Sequence, residues 1–427
     1  MRYLSLAFFL SFSLQALLAQ DDYVVSDLQY TDYIYRDFVA SCRFYPNDSE
    51  VDYPVIQLGS PSKLILEFDD LDADNKDYNY KIIHCNRNWQ PSEDIDALDY
   101  IDGFQENRFY ESLSSFGTRT EYLHYNLELP NDDVKWTKSG NYLLLVYLDN
   151  DEEDLVLSRR FVVYEPQMNV QVTTRRSAIP PYGQTHQELS CQLQHAGMNV
   201  TNPNQDIKLT VVQNWNWPQA LKNLEPTFVE EEVIHFDRQG QIVFPGQREF
   251  RPLDIRSFRH RGPQVQNLAR TNEGFELLLF PEKERKYSPY LFTNDLNGKF
   301  IIASYDAPNP EERGEYGQLF FQFKSPEYPD ARVFVYGGFS DFQAYPQYEL
   351  NYNSEKGQYE GILFFKNGFY DYGYGLLRNG EKQLDQEELE GNRFETENDY
   401  LFLVYYRPFG GRYDQVVAFQ KASSTHR

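Results

Sequence analysis

Acidic side chains are the residues of this chain whose spacing could most readily do chemistry. Asp70, Asp72 and Asp74 alternate like the first ligands of a calcium-binding loop. Such a loop also needs Gly at its sixth position and Glu at its twelfth. Asn75 and Lys81 occupy those positions here. The sequence therefore predicts a solvated turn at this point and no metal site.

A second acidic group could supply the paired carboxylates that glycoside hydrolysis requires. Its members are Glu93, Asp94, Asp96, Asp99 and Asp102. Nothing in the sequence fixes the separation of these carboxylates, and most such clusters are solvated faces. A glycosidase built on this acidic cluster is therefore kept only as a third hypothesis.

The histidines form no recognisable catalytic pattern. His84 and Cys85 are adjacent, and adjacent residues of one strand point to opposite faces, so they cannot work together as a nucleophile pair. The other histidines considered show no metal-ligand spacing: His186, His195, His235 and His260. No GxSxG, HExxH or phosphate-binding glycine loop occurs either. We therefore expect a protein that is not an enzyme, with no catalytic, cofactor-binding or metal-binding residues.

Three cysteines are too few for a disulfide scaffold in a chain of 427 residues. Cys42, Cys85 and Cys191 show no CxxC spacing of the kind that binds zinc. One disulfide with one thiol left over is a possible arrangement, and three buried thiols is another. The sequence does not choose between them.

Strands must position these residues, because strand patterns fill almost the whole chain. The sequence contains 34 tyrosines and 32 phenylalanines, which are high counts, and aromatic residues favour strands. Residues 63–68 and 78–84 are predicted to pair as a hairpin around the acidic turn 69–77. Residues 142–148 and 155–164 are predicted to form a second hairpin. Residues 95–116 are expected to be a long ordered loop with at most a helical turn.

Two proline-containing stretches divide the chain into three predicted domains. Glu165-Pro166 and Ser325-Pro326 each follow a predicted strand. The last segment has six predicted strands separated by turn residues, as in an immunoglobulin-like sandwich. We therefore predict an all-β fold of two or three packed Ig-like or early-set β-sandwich domains, with segments at 21–165, 166–325 and 326–427.

The N-terminus and the net charge restrict where the protein works and what it binds. Residues 1–20 have the layout of a cleaved signal peptide, with Arg2, an apolar run at 4–18 and an acidic start after Ala19. No second apolar stretch is long enough to span a bilayer, so direct membrane insertion is not expected. The formal net charge of −25 disfavours nucleic acid and anionic membrane surfaces as partners.

Residues 333–342 (VFVYGGFSDF) resemble the early-set sandwich of starch- and glycogen-binding modules. Those modules stack sugars on exposed aromatic side chains, typically a tryptophan near the position of Phe342. The tryptophan is absent here. The resemblance implies an alternative function, that of a periplasmic carbohydrate-binding protein acting through its C-terminal sandwich.

Several short motifs in order along the chain resemble the plug protein family of the type 9 secretion system. The most specific is the string YIDGFQENR at 100–108, and the order of the others supports it: IIHCN at 82–86, FPGQREF at 244–250 and VYYRP at 404–408. The resemblance covers essentially the whole chain after the predicted signal peptide.

This resemblance implies a periplasmic protein without a cofactor. Its partner would be the large outer-membrane translocon barrel, whose periplasmic opening it would occlude to prevent leakage when no substrate is exported. We expect it to be monomeric when free. The suggested contact residues are Tyr100, Asp102, Phe104, Glu106 and Arg108. In the alternative interpretation, this loop packs internally and Arg108 pairs with an acid.

Overall fold

The computed structural model describes residues 27–195, 197–272 and 274–424. Strands dominate its regular structure, and its helices are single turns. The prediction of an all-β, sandwich-like fold is therefore confirmed. The predicted signal peptide at 1–20 lies outside the described residues. No helix within the described ranges has the length and apolarity needed to cross a bilayer.

The N-terminal module spans residues 33–164 and contains one helical turn, α1 (Ala97–Tyr100). Its strands are β1 (Tyr33–Ile34), β2 (Val39–Pro46), β3 (Val55–Gln57), β4 (Leu64–Asp70), β5 (Tyr78–Cys85), β6 (Ile101–Gly103), β7 (Glu106–Arg108), β8 (Ser112–Ser114), β9 (Leu123–Leu129), β10 (Val134–Trp136), β11 (Gly140–Leu148) and β12 (Asp151–Tyr164). One sheet has the order β1-β12-β11-β5-β7, with β3 beside β12, and the other has the order β2-β4-β9-β8. The short strands β6 and β10 pair separately.

The predicted hairpin of residues 63–68 and 78–84 is wrong, although both strands exist. β4 pairs with β2 and β9 in one sheet, whereas β5 pairs with β11 and β7 in the other. The acidic connection between them therefore crosses from one sheet to the other. Alternating apolar residues pack equally well beside a neighbouring strand or across a sandwich core, so the pattern alone did not distinguish the two arrangements.

The sheet containing β5 and β11 is buried on both of its faces. Tyr142 and Leu144 of β11 belong to the core between the two sheets. The intervening Leu143 belongs to a different core, shared with the rest of the molecule. This is the strand alternation expected of a sheet that is covered on both sides.

The remaining strands follow in chain order. From residue 169 to residue 324 they are β13 (Asn169–Arg176), β14 (His186–Gln194), β15 (Ile207–Gln213), β16 (Leu221–Leu224), β17 (Phe228–Val229), β18 (Val233–Phe236), β19 (Val243–Pro245), β20 (Arg251–Asp254), β21 (Val265–Arg270), β22 (Phe275–Leu279), β23 (Glu282–Lys283), β24 (Phe300–Ile302) and β25 (Tyr316–Lys324). They continue as β26 (Ala331–Tyr336), β27 (Glu349–Asn353), β28 (Gln358–Lys366), β29 (Gly368–Arg378), β30 (Asp399–Tyr406) and β31 (Gln415–Ser423).

Short helices lie between some of these strands. The α-helical turns are α2 (Pro203–Asp206), α3 (Pro310–Arg313) and α4 (Glu387–Glu390). The 3₁₀ turns are Tyr182–Gln184, Trp217–Gln219, Gly338–Ser340 and Pro346–Tyr348.

Hydrogen-bonded sheets cross the boundary predicted between residues 325 and 326 in two places. The C-terminal hairpin β30–β31 joins β15 and β16 in the order β16-β15-β30-β31, opposite the sheet β13-β14-β18-β17. Strands β20 to β25 join β26 to β29 in a sheet of ten strands. The division into 21–165, 166–325 and 326–427 stays a prediction, but the sheets from β13 onward do not follow it.

The ten-stranded sheet folds over on itself. Its order runs β20-β29-β26-β27-β28-β25-β22-β21, which places three strands between β29 and β25. Neighbouring strands lie about 4.8 Å apart, so a flat sheet would separate these two by roughly 19 Å. Phe323 of β25 nevertheless stacks on Tyr374 of β29, with ring centroids 4.0 Å apart. The two strands therefore meet across a shared core.

A separate core fastens the N-terminal module to the rest of the chain. Trp89 and Leu143 from that module pack in one buried cluster with Trp217, Leu403 and Val416. The Trp89 and Trp217 rings lie 4.8 Å apart in an edge-to-face arrangement. Burial of aromatic surface of this kind is a strong apolar contact, so the module is packed firmly against its neighbours.

Candidate partner-binding surface

Four of the five suggested contact residues lie on three short elements, α1, β6 and β7, and Phe104 lies in the turn between β6 and β7. Asp102, Phe104, Glu106 and Arg108 are exposed. Tyr100 is buried in the N-terminal core, where its hydroxyl accepts a hydrogen bond from Gln105 Nε2 at 3.1 Å. The structure therefore brings four of the five side chains to the surface, while Tyr100 anchors the segment from within. Their role in binding a partner stays a prediction.

Arg108 is paired with an acid, as the alternative interpretation of this loop expected. Arg108 Nε donates to Asp77 Oδ1 at 3.0 Å, and a second guanidinium nitrogen contacts the other carboxylate oxygen. Glu106, on the same strand, is contacted by Lys81. Lys81 and Glu106 are opposite each other on the β5–β7 ladder, and Asp77 directly precedes β5. Strand β7 is thus held in place by its neighbour and is not a free loop.

The acidic cluster is joined to a distant part of the chain by two ion pairs. Arg407 Nη2 lies 2.9 Å from Asp94, and Arg412 Nη2 lies 3.0 Å from Asp99. Arg412 lowers the pKa of Asp99 below its ordinary value. A glycosidase needs one carboxylic acid of raised pKa, and Asp99 is shifted in the opposite direction. These contacts fit a structural role for Asp94 and Asp99.

Both arginines come from the loop between β30 and β31, and buried contacts hold that loop in place. Tyr413 packs edge-on against His84 at 5.5 Å. The buried carboxylate of Asp414 accepts hydrogen bonds from the backbone N–H and the guanidinium of Arg87, at 2.9 and 2.8 Å. The loop is therefore attached to the N-terminal module at its base.

Residues 93–104 and 407–412 together form what we call the two-loop surface. Three large apolar side chains project from it without cover: Leu98 is 90%, Phe104 71% and Phe409 105% exposed. Phe409 was missed by sequence reasoning, although Pro408-Phe409-Gly410-Gly411 places an aromatic residue in a turn between two apolar strands. An aromatic residue beside proline and glycine in such a turn was the sequence feature that could have indicated an exposed side chain.

The Asp70, Asp72 and Asp74 carboxylates do converge, but on a lysine. Their ligand atoms lie within 4.8 Å of one another. Lys76 Nζ lies 2.9 Å from Asp70 and 3.0 Å from Asp72, and it also contacts Asp74. The lysine ammonium thus supplies the positive charge that a cation would bring. This arrangement explains how a turn with Asn75 and Lys81 at the calcium-loop positions is stabilised.

His84 and Cys85 face different surroundings, as strand alternation predicts. His84 contacts the Tyr100 and Tyr142 rings, and burial lowers its pKa to about 4. Cys85 lies in the core shared between modules, where burial raises its thiol pKa to about 12. All three cysteines are buried free thiols. Neither Cys85 nor His84 therefore has the pKa of an activated nucleophile or its base.

Phe342 lines a cleft of about 110 Å³ between the modules, together with Tyr53, Trp215, Arg43 and Lys299. The Tyr53 and Trp215 rings are stacked with centroids 5.8 Å apart. Lys299 Nζ lies 3.5 Å from the Tyr53 ring centroid, and burial lowers the lysine pKa to about 8. The cleft thus combines aromatic faces with polar groups, although its volume is small.

The N-terminal module is similar to a domain of a known family. Residues 39–165 match the family model described as "Type 9 secretion system plug protein 1st domain". Residues 39–165 are thus similar to a plug-family first domain. The resemblance noted in the sequence is thereby confirmed over residues 39–165, and the matched residues coincide with the sandwich β2–β12 that carries residues 93–104.

A solved structure extends the similarity along the chain. The crystal structure of a hypothetical protein from Parabacteroides merdae ATCC 43184 is similar with a TM-score of 0.88 and 27% sequence identity. The match covers 93% of this chain and 100% of that one. No curated protein matches the chain. The fold of this chain therefore recurs in another protein.

Proposed function

We propose that this protein is a periplasmic plug that binds the periplasmic opening of the large outer-membrane translocon barrel of the type 9 secretion system. It occludes that opening when no substrate is exported and so prevents leakage. The observation that carries the proposal is the match of residues 39–165 to the plug family. That match supports a role in the type 9 secretion system at the cell envelope, and a protein without catalytic activity.

The packing of the modules suits such a role. A plug must resist deformation, and here the N-terminal module shares one buried core with strands from the C-terminal hairpin. A buried ion pair between Asp69 and Lys366 also ties it to the ten-stranded sheet. The high negative charge favours solubility in the unbound state.

Affinity purification of the tagged protein from detergent-solubilised envelope tests the proposal. We expect the translocon barrel to co-purify in near-stoichiometric amount, and a deletion strain to admit bulky antibiotics that the outer membrane normally excludes. Reintroducing the gene should restore the barrier. An unchanged barrier in the deletion strain, with no barrel in the eluate, would refute the proposal.

A second candidate function is periplasmic carbohydrate binding, which the cleft at Phe342 favours. Phe342, Tyr53 and Trp215 line one space, and aromatic faces are what sugars stack on. Titration calorimetry with linear glucans tests this candidate. Binding that is lost in Phe342→Ala would support it, and absence of binding to every glucan tried would remove it. The small volume of the cleft makes the plug the preferred function.

A further inference from the structure

We infer that the two-loop surface, residues 93–104 with 407–412, is the face that docks on the translocon barrel. Its counterpart would be an apolar recess bordered by basic side chains. The inference rests on the proposed function and goes beyond it by assigning the contact. It also changes the suggested contact set, because it adds a loop some 300 residues away in the chain and leaves out Glu106 and Arg108. Tyr100 lies within residues 93–104, but it is buried and is not a contact residue.

The first argument is the exposure of the apolar tips. Single exposed apolar residues are normal on protein surfaces. Here Leu98, Phe104 and Phe409 are almost uncovered on two loops that touch each other. An exposed Phe at the tip of a loop contributes nothing to the core beneath it. Aromatic and large aliphatic side chains are, however, the usual anchors at the centre of protein interfaces.

The second argument is that the loops are ordered before any partner arrives. Exposed ion pairs such as Arg407–Asp94 and Arg412–Asp99 stabilise little by themselves. The buried Asp414 carboxylate and the packed Tyr413 ring fix the base of the same loop. Ordering a loop on binding reduces affinity, so a loop that is already fixed retains more of the interaction free energy.

The third argument is the charge around the tips. The two loops carry five carboxylates and two arginines, and both arginines are paired with Asp94 and Asp99. The carboxylates of Glu93, Asp96 and Asp102 therefore leave the exposed surface acidic. An acidic border repels anionic lipid headgroups. It complements a protein partner whose apolar recess has a basic border.

The experiment compares the affinity of purified variants for the purified translocon barrel in detergent. The test variant is the double substitution Leu98→Ser with Phe409→Ser. The matched control is Tyr287→Ser with Leu291→Ser, which removes two similarly exposed apolar side chains elsewhere. We expect at least a tenfold loss of affinity for the test variant and less than a twofold change for the control. If the test variant does not fold, Phe409→Ser alone replaces it.

The outcomes separate this inference from the proposed function. If the wild-type protein binds the barrel and the test variant binds equally well, the two-loop surface is wrong and the plug function stands. If the wild-type protein does not bind the barrel, both are overturned. Flotation with phosphatidylethanolamine–phosphatidylglycerol vesicles completes the test. Co-flotation that is lost in the test variant would identify a membrane-docking surface instead and would also overturn the inference.

Discussion

At the scale of single residues, one buried carboxylate connects two modules. Asp69 of β4 accepts hydrogen bonds from Lys366 Nζ at 2.6 Å and from the Tyr316 hydroxyl at 2.7 Å, and His124 Nδ1 lies 2.7 Å away. Burial by itself would raise the pKa of Asp69, but Lys366 and His124 outweigh burial and hold the pKa below its ordinary value. The carboxylate is therefore ionised and fully paired in the folded protein.

Lys366→Met tests how much this network stabilises the fold. Removing one partner leaves a buried carboxylate without its compensating charge, which typically lowers the free energy of unfolding by about 3–5 kcal/mol. Lys356→Met is the control, since Lys356 forms an exposed pair with Glu360 and we expect a loss below about 1 kcal/mol. Urea unfolding measures both, and equal losses would contradict the assignment.

The buried carboxyl group of Asp371 should make the free energy of unfolding depend on pH. Burial is the main cause that raises its pKa to about 8, and the neighbouring Asp295 carboxylate adds to the shift. A carboxyl group with a raised folded-state pKa binds its proton more tightly when folded, so its contribution is lost as pH rises towards that pKa. Burial lowers the pKa of His84 to about 4, so this group changes the free energy of unfolding mainly below pH 6.5. Burial lowers the pKa of Lys299 to about 8, so its effect on the free energy of unfolding falls mainly above pH 8.

Between pH 6.5 and 8 we therefore expect the free energy of unfolding to fall by up to about 1.4 kcal/mol per pH unit. Asp371→Asn mimics the neutral acid and should flatten this dependence. Denaturant titrations at several pH values in this window provide the measurement. A slope that is the same in the variant and the wild-type protein would show that another group is responsible.

At the scale of elements, the hairpin β30–β31 has two tasks. Its strands complete the sheet that begins with β16 and β15, while its turn contacts the N-terminal module through Tyr413 and Asp414. The turn is thus a clamp between modules as well as part of the two-loop surface.

Asp414→Ala should open this clamp. Asp414 is buried and accepts hydrogen bonds from Arg87, so its removal should lower the free energy of unfolding by about 2 kcal/mol and expose residues 407–412 to protease. Asp94→Ala removes an exposed pair with Arg407 and should cost less than about 1 kcal/mol. Chemical denaturation with limited proteolysis distinguishes them, and the reverse order of effects would contradict the clamp.

The strands themselves were largely predictable, but their partners were not. Residues 63–68 and 78–84 were recognised and appear as β4 and β5. Their assignment to different sheets was missed because the alternation of apolar residues is the same in both arrangements. The pairing of β15 with β30 joins residues almost 200 positions apart, and no local pattern records so distant a neighbour.

The same limit applied to the candidate site. The sequence singled out residues 100–108, which lie close together along the chain, and the structure exposes four of the five residues named there. The sequence did not reveal Phe409, because the proximity of the 407–412 loop to Asp94 and Asp99 arises only from tertiary packing. Likewise, the sequence showed Asn75 and Lys81 as departures from the calcium pattern, but it did not indicate that Lys76 would contact the three carboxylates.

At the scale of the whole molecule, the modules should unfold together. One buried cluster contains side chains from β11, the 3₁₀ turn at Trp217 and the hairpin β30–β31, and the Asp69–Lys366 pair adds a second connection. Differential scanning calorimetry should therefore show one transition whose calorimetric and van't Hoff enthalpies agree. A separate early transition for the N-terminal module would contradict rigid coupling.

Occlusion is the central claim, and the conductance of the purified barrel in a planar lipid bilayer tests it most directly. Protein added on the periplasmic side should reduce the conductance towards that of the bare bilayer. The Tyr287→Ser, Leu291→Ser control should act like the wild type. If the conductance stays unchanged while the protein is bound to the barrel, the protein is a binding partner and not a plug.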